Sequence, residues 1–478
     1  MRATTTYVVL LLGLARIGVA QTPPDTVTGV LRLQQVIERY GPTIGDRIWP
    51  GFRPDTIPVL WVIPHRAKLL AEWRYDLPRG FQPLPGIPQA AWTDTQAVSL
   101  PSGRFISFMS VDSAQDASFL VGTAIHEAFH SFERASSRED RKFGRGENSM
   151  LIAEYPVFDV DNEAAFALEG HLLRSAYLAT DVSTLRARVA EFLAVRERRH
   201  RALDSAMAEF ETMAELHEGL AQYTLLRGVA ELGTTAGELW RTGAGRLAVE
   251  ETALLDSLIT LSRRSVRRRF YATGSTQGLI LDRLVGDRWK HQIMLDDVTL
   301  EQALRAAMRD APARTTAQWD EWYRTEVNHR RPEAEAAVRT LENIRKDEAE
   351  RILAQPGVTV TIESLVGRLN WCGFDPQNTL PVGDGRLMHT RFLRLCGSPG
   401  VSVDFDTPVV ETREPASFAA VVPKTGLTLT SEGRDVRLMP GESRELPSLT
   451  IASPFLTLTA RKVRVSRDAS ALRILVEQ

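Results

Sequence analysis

Two cysteines among 478 residues exclude a four-cysteine zinc site and a cysteine-ligated iron–sulfur cluster. Cys372 and Cys396 allow one disulfide at most, and their spacing leaves that pairing open against two separate buried thiols. An excess of either charge is lacking too, because 58 Lys and Arg stand against 60 Asp and Glu for a formal net charge of −2. That balance carries no electrostatic footprint for nucleic acid or an anionic membrane, so neither is expected as a partner. Long apolar runs are scarce. The one at the start, Tyr7 to Leu14 behind Arg2, falls short of the ~20 residues of a spanning helix. With Gly18-Val19-Ala20 after it, and despite Arg16, it has the layout of a signal peptide cut after Ala20. The expectation is an exported protein, periplasmic or extracellular, with no stable membrane insertion after cleavage, in a compartment that permits a disulfide.

What is present changes character twice along the chain. Residues 21–116 mix Pro-rich turns with short apolar runs such as Val59 to Ile63, and Arg104 to Ser110 reads as a strand. Residues 117–355 are rich in Ala, Leu, Glu and Arg with few prolines, which predicts helices, among them Ala117–Arg134, Asp161–Ala179, Met213–Leu232, Gln277–Leu284, Thr316–Asn328 and Pro332–Ala354. Residues 356–478 alternate Val, Thr and Ile over short segments, as in Val358 to Ile362 and Phe455 to Thr459, and predict a β-sandwich or small barrel. The fold class expected is α+β: a signal peptide (1–20), a mixed α/β N-terminal part (21–116), a mainly helical domain (117–355) and an all-β C-terminal domain (356–478).

Nine histidines are few, yet two of them fall at ligand spacing in His126-Glu127-Ala128-Phe129-His130. At i and i+4 on a helix their Cβ atoms stand about 5 to 6 Å apart on one face, so both imidazoles reach one zinc ion at about 2.0 to 2.1 Å. Leu120, Ala124, Ile125 and Phe129 supply the apolar face that a helix needs here. Glu127, one residue on from His126, turns toward the place of an attacking water, the position of a general base. A catalytic zinc site wants a third protein ligand, and the chain offers two candidates: Glu163 in Asp161-Asn-Glu-Ala-Ala-Phe166 and Glu218 in Leu216-His-Glu-Gly-Leu-Ala-Gln-Tyr223.

Together, His126 to His130 and Glu218-Gly-Leu-Ala-Gln-Tyr223 resemble the gluzincin zinc metallopeptidases of the peptidase MA clan, above all the aminopeptidase N-like branch. The resemblance spans about residues 117–284 and implies that Glu218 is the third ligand to Zn2+. It also implies that Tyr271, in Phe270-Tyr-Ala-Thr-Gly274, donates to the oxyanion of the tetrahedral intermediate. The sequence departs from that branch at His217, where asparagine is usual, and in the long interval between the two motifs. Glu163, in a context similar to the thermolysin-type second motif, stands as the alternative ligand. The branch's Gly-x-Met-Glu-Asn amine-binding motif is missing ahead of the metal helix; Gly146-Glu-Asn148 lies after it and lacks the methionine. The resemblance therefore implies a metallopeptidase acting on peptide or protein substrates, an endopeptidase rather than an aminopeptidase, with the substrate added as a strand to the edge that Arg104 to Ser110 could provide. Two other readings use the same residues: an inactive zincin-fold binding protein, and a zinc hydrolase of a non-peptide amide. The basic run Arg263-Arg264 and Arg267 to Arg269 reads as a solvated helix face.

Overall fold

The structure, a computed structural model, describes residues 27–57, 59–62, 69–70, 81–82, 96–99, 105–110, 116–258, 266–309, 314–364, 369–397 and 400–477. The expected signal peptide, Arg104, Arg263 and Arg264 lie outside the described residues. Helices fill the middle of the chain and strands its C-terminal part, an α+β composition. Two compact units result: residues 1–131 with 227–244, and residues 132–226 with 245–478. All three divisions of the chain between them fall inside helices, so α2 (Ala117–Ser136), α6 (Leu220–Thr235) and α7 (Glu238–Asp256) each give residues to both.

In the first unit, α1 (Val27–Ile48) buries Leu33, Ile37, Ile44 and Ile48, a stripe at helical spacing. Trp49 and Phe52 follow it and set their ring edges against Phe129 of α2, with centroids 5.2 and 5.4 Å apart. A small sheet places Phe105–Ser110 in the centre, parallel to Val59–Val62 and antiparallel to Gln96–Ser99. Phe105–Ser110 is therefore not the open edge that the sequence suggested for a substrate strand: both of its sides already carry a ladder.

In the second unit, α3 (Val160–Leu178), α4 (Val182–Ala202), α5 (Ser205–Ala214), α8 (Arg268–Val285), α9 (Arg288–Leu295) and α10 (Leu300–Ala307) precede one long helix, α11 (Thr316–Leu353). The two helices expected on either side of Pro332 are this single one. A proline inside a helix forfeits a hydrogen bond and crowds the preceding turn. That cost is offset by packing, since Val327, Ala334, Val338, Leu341, Ala349 and Ile352 form a buried stripe along α11.

From Val358 onward, thirteen strands form one nearly barrel-shaped sheet. Its first strand, Val358–Ser364, lies between Ala416–Val422 and the last strand, Ala471–Val476. Alternation in Leu456–Arg467, broken once at Arg461 and Lys462, sends Leu456, Leu458, Ala460, Val463 and Val465 into the core. A separate apolar cluster joins helix to sheet: Ala349 and Ile352 of α11 pack with Leu380, Val382, Met388 and Val410.

Cys372 and Cys396, left open by the sequence, form a disulfide with Cα atoms 5.8 Å apart, linking neighbouring strands Asn370–Phe374 and Leu393–Cys396. They are 24 residues apart, and closing a loop of that size in the unfolded chain is worth about 3.5 kcal/mol on the chain-entropy account. Cys372→Ser with Cys396→Ser is expected to lower the denaturant midpoint by a matching amount. Pro332→Ala is expected to raise the thermal midpoint, by up to about 3 kcal/mol of added stability; a lower midpoint would show that the proline suits this helix.

Candidate metal centre

Helix α2 begins at Asp116, whose carboxylate accepts the amide hydrogens of Ser118 and Phe119 at 2.9 and 3.0 Å. Leu120, Val121, Ala124, Ile125, Ala128 and Phe129 are buried along it. On the same helix, His126 and His130 are each 5% exposed, with their Nε2 atoms 3.1 Å apart. Two nitrogens bound at about 2.05 Å to one ion at a tetrahedral angle stand roughly 3.3 Å apart, so the pair is already spaced for a shared ion. A single N–H···N hydrogen bond has a similar length. The surrounding donors therefore decide between the two. Glu127 is buried beside them, its Oε1 4.0 Å from His126 Nε2.

Glu218 sits on a wide π-helical turn, Glu215–Gly219, that leads into α6. One-turn π-bulges of this kind occur mostly at functional sites. Two glycines let the turn form where it does. A Cβ on Gly219 would lie 2.6 Å from Gly274 Cα, and one on Gly274 would lie 2.7 Å from Glu215 O, so α8 crosses the turn at backbone contact. The Gly in Glu218-Gly219 and the Gly in Tyr271-x-x-Gly274 are thus the two halves of one crossing. Further along α6, a Cβ on Gly228 would come 2.7 Å from Ile125, which holds α6 close to α2 one residue before His126.

Glu215, the first residue of the turn, is clamped from the other side. Arg196 donates to its two oxygens at 2.9 and 2.9 Å, and Thr273 donates at 2.6 Å. Burial alone would raise this carboxyl, yet Arg196 and the neighbouring donors hold it below the usual carboxylate range. Arg196 and Arg199 in turn share Glu169, each at 2.7 Å, and Arg199 reaches Glu211, which also takes the Tyr155 hydroxyl at 2.5 Å. All of these charged side chains are buried.

The ligand atoms of His126, His130 and Glu218 lie within 4.8 Å of one another, and all three residues are buried, a group that could hold a metal ion. Two imidazoles and one carboxylate are a donor set that suits zinc. Glu163, the alternative ligand, is engaged elsewhere: α3, capped by Asp159, starts just before it, and Arg269 pairs with both of its oxygens, both side chains being fully buried. It belongs to none of the groups among the described residues that could take an ion. Tyr271 lies on α8, and its hydroxyl accepts from Gln377 Nε2 at 3.2 Å.

Three residues of this neighbourhood were invisible to the motif reading. Arg267 pairs with Glu218 at 2.6 Å, Glu147 pairs with Arg267 at 2.6 Å, and Glu133 holds His217 Nδ1 at 3.0 Å. Among its described residues the basic run is not a solvated face: Arg268 is exposed, but Arg269 is fully buried and the Arg267 side chain is only 14% exposed. The one signal that could have found Arg267 is helical phase, since Arg267 and Tyr271 stand at i and i+4.

Compared with protein-family models, with curated proteins and with solved structures, the chain matches none. Gly274→Ala tests the crossing. The added methyl must push the π-turn away from α8, so a loss of about 1 to 3 kcal/mol in stability is expected, with weaker metal uptake. Unchanged denaturation and unchanged zinc titration would show that the crossing does not hold the turn.

Proposed function

We propose that the protein is an exported zinc-dependent metallopeptidase with gluzincin-like chemistry, acting as an endopeptidase on peptide or protein substrates. The observation that carries this reading is the buried grouping of His126, His130 and Glu218 with Glu127 beside His126. The disulfide supports export. No helix among the described residues is long and apolar enough to cross a membrane.

His126, His130 and Glu218 would hold the zinc, which when bound supplies Lewis acidity to the substrate carbonyl. Glu127 accepts the proton of the attacking water at its carboxylate and returns it to the leaving amine nitrogen. Its burial serves that role, because a carboxylate shielded from bulk water keeps the proton it has taken for the leaving group. Tyr271, whose hydroxyl accepts from Gln377, takes the part of oxyanion donor on the strength of the gluzincin resemblance.

Metal analysis and cleavage of a peptide library, run on wild type, Glu127→Gln, Glu218→Ala and Glu163→Ala, test this. Glu127→Gln is expected to keep zinc and lose about 10²- to 10⁴-fold in rate, and Glu218→Ala to lose zinc. Glu163→Ala is expected to cost about 3 to 5 kcal/mol of stability, because it strands the buried Arg269, while its folded fraction keeps zinc. Equal cleavage by wild type and Glu127→Gln would refute the mechanism. Zinc held by wild type with no cleavage of any peptide would favour a binding protein or a hydrolase of a non-peptide amide.

A further inference from the structure

Arg267 stands immediately before α8 and sits against the carboxylate that the metal reading needs. Its Nη2 is 2.6 Å from Glu218 Oε1 and 2.6 Å from Glu147 Oε1, and its Nε donates to the same Glu147 oxygen at 2.6 Å. Glu147 and Glu218 keep only 2% and 4% of their side-chain exposure. Arginine stays protonated in folded proteins whatever its burial. The guanidinium is therefore a fixed positive charge. His217 approaches the same oxygen of Glu218, its Nε2 at 3.9 Å, while Glu133 anchors its other nitrogen.

Left to itself, a carboxylate on a divalent ion can chelate through both oxygens, which raises the coordination number. We propose that Arg267 is a positioning residue for the metal centre: it holds one oxygen of Glu218 so that the carboxylate meets an ion through the other alone, while Glu147 balances the charge this brings. The inference rests on the reading of His126, His130 and Glu218 as ligands. It also accounts for a second grouping, Glu147, His217 and Glu218, whose ligand atoms lie within 4.8 Å of one another. Arg267 already bridges two of those three side chains, so a second ion would have to displace a permanent cation. A third grouping, His130, Glu133 and His217, competes with the first for His130, and Glu133 already holds His217 Nδ1 at 3.0 Å, so the centre takes one ion.

Cobalt(II) titration of the full chain, followed by visible absorption and by metal content, separates the outcomes. Wild type is expected to take up one cobalt per chain with the intense bands of a four-coordinate ion. Arg267→Met is expected to bind cobalt about 10- to 100-fold more weakly, with the weaker bands of a higher coordination number. Glu147→Gln leaves Arg267 on Glu218, so it is expected to keep the four-coordinate spectrum while affinity drops about 10-fold from the unbalanced charge. The double variant Glu147→Gln/Arg267→Met removes both charges and is expected to show the weak bands as well, which keeps the test intact should Arg267→Met alone fail to fold. A wild-type spectrum in the double variant, or two cobalts per wild-type chain, would overturn the positioning role. A wild-type chain that takes up no cobalt would overturn the ligand reading together with it.

Discussion

The buried pairing of Glu215 with Arg196 is the constraint on which the site depends. It ties the start of the π-turn to α4 with two hydrogen bonds, and Arg196 passes that hold to Glu169 on α3. Such a pair contributes little net stability over an apolar one, since desolvating both charges consumes most of the attraction. Its effect is on geometry. A guanidinium fork meeting a carboxylate fork fixes direction as well as distance, so the turn that carries His217 and Glu218 has one setting. The glycine crossing with α8 fixes its opposite side, leaving the turn held between a charge clamp and a backbone contact.

The sequence made the metal helix legible because an i, i+4 histidine pair in an apolar helix has few other uses. The α+β division was legible for a similar reason: Ala, Leu, Glu and Arg give way after Gln355 to alternating Val, Thr and Ile, and each pattern serves only one backbone period. Helix α1 was harder to see. Its stripe of Leu33, Ile37, Ile44 and Ile48 is regular, but Gly41, Pro42 and Gly45 interrupt it with residues that usually end helices. Pro332 misled in the same way within α11, where burial along one face outweighs the local penalty.

Charge was the least legible feature. Arg267, Arg269, Arg196 and Arg199 have the composition of a solvated surface, and their partners lie between 12 and 106 residues away where Glu211, Glu169 and Glu163 are concerned. No short window contains both halves of such a pair. Glu163 shows the consequence. Its motif context fits a ligand, but a fully buried arginine one fold-length away claims both of its oxygens. The central place of Phe105–Ser110 in its sheet was hidden likewise, because ladder partners on both sides are set by topology and not by the strand's own residues.

The apolar cluster that Ala349 and Ile352 share with Leu380, Val382, Met388 and Val410 bears on where this chain can be divided. The composition changes after Gln355, which makes that point the obvious seam on paper. A piece transferred alone across that seam would arrive with half of a hydrophobic contact bare, on a helix whose length beyond Pro332 relies on being covered. The β module and the end of the long helix before it therefore share one piece of core, and a cut between them would bare the apolar face of each.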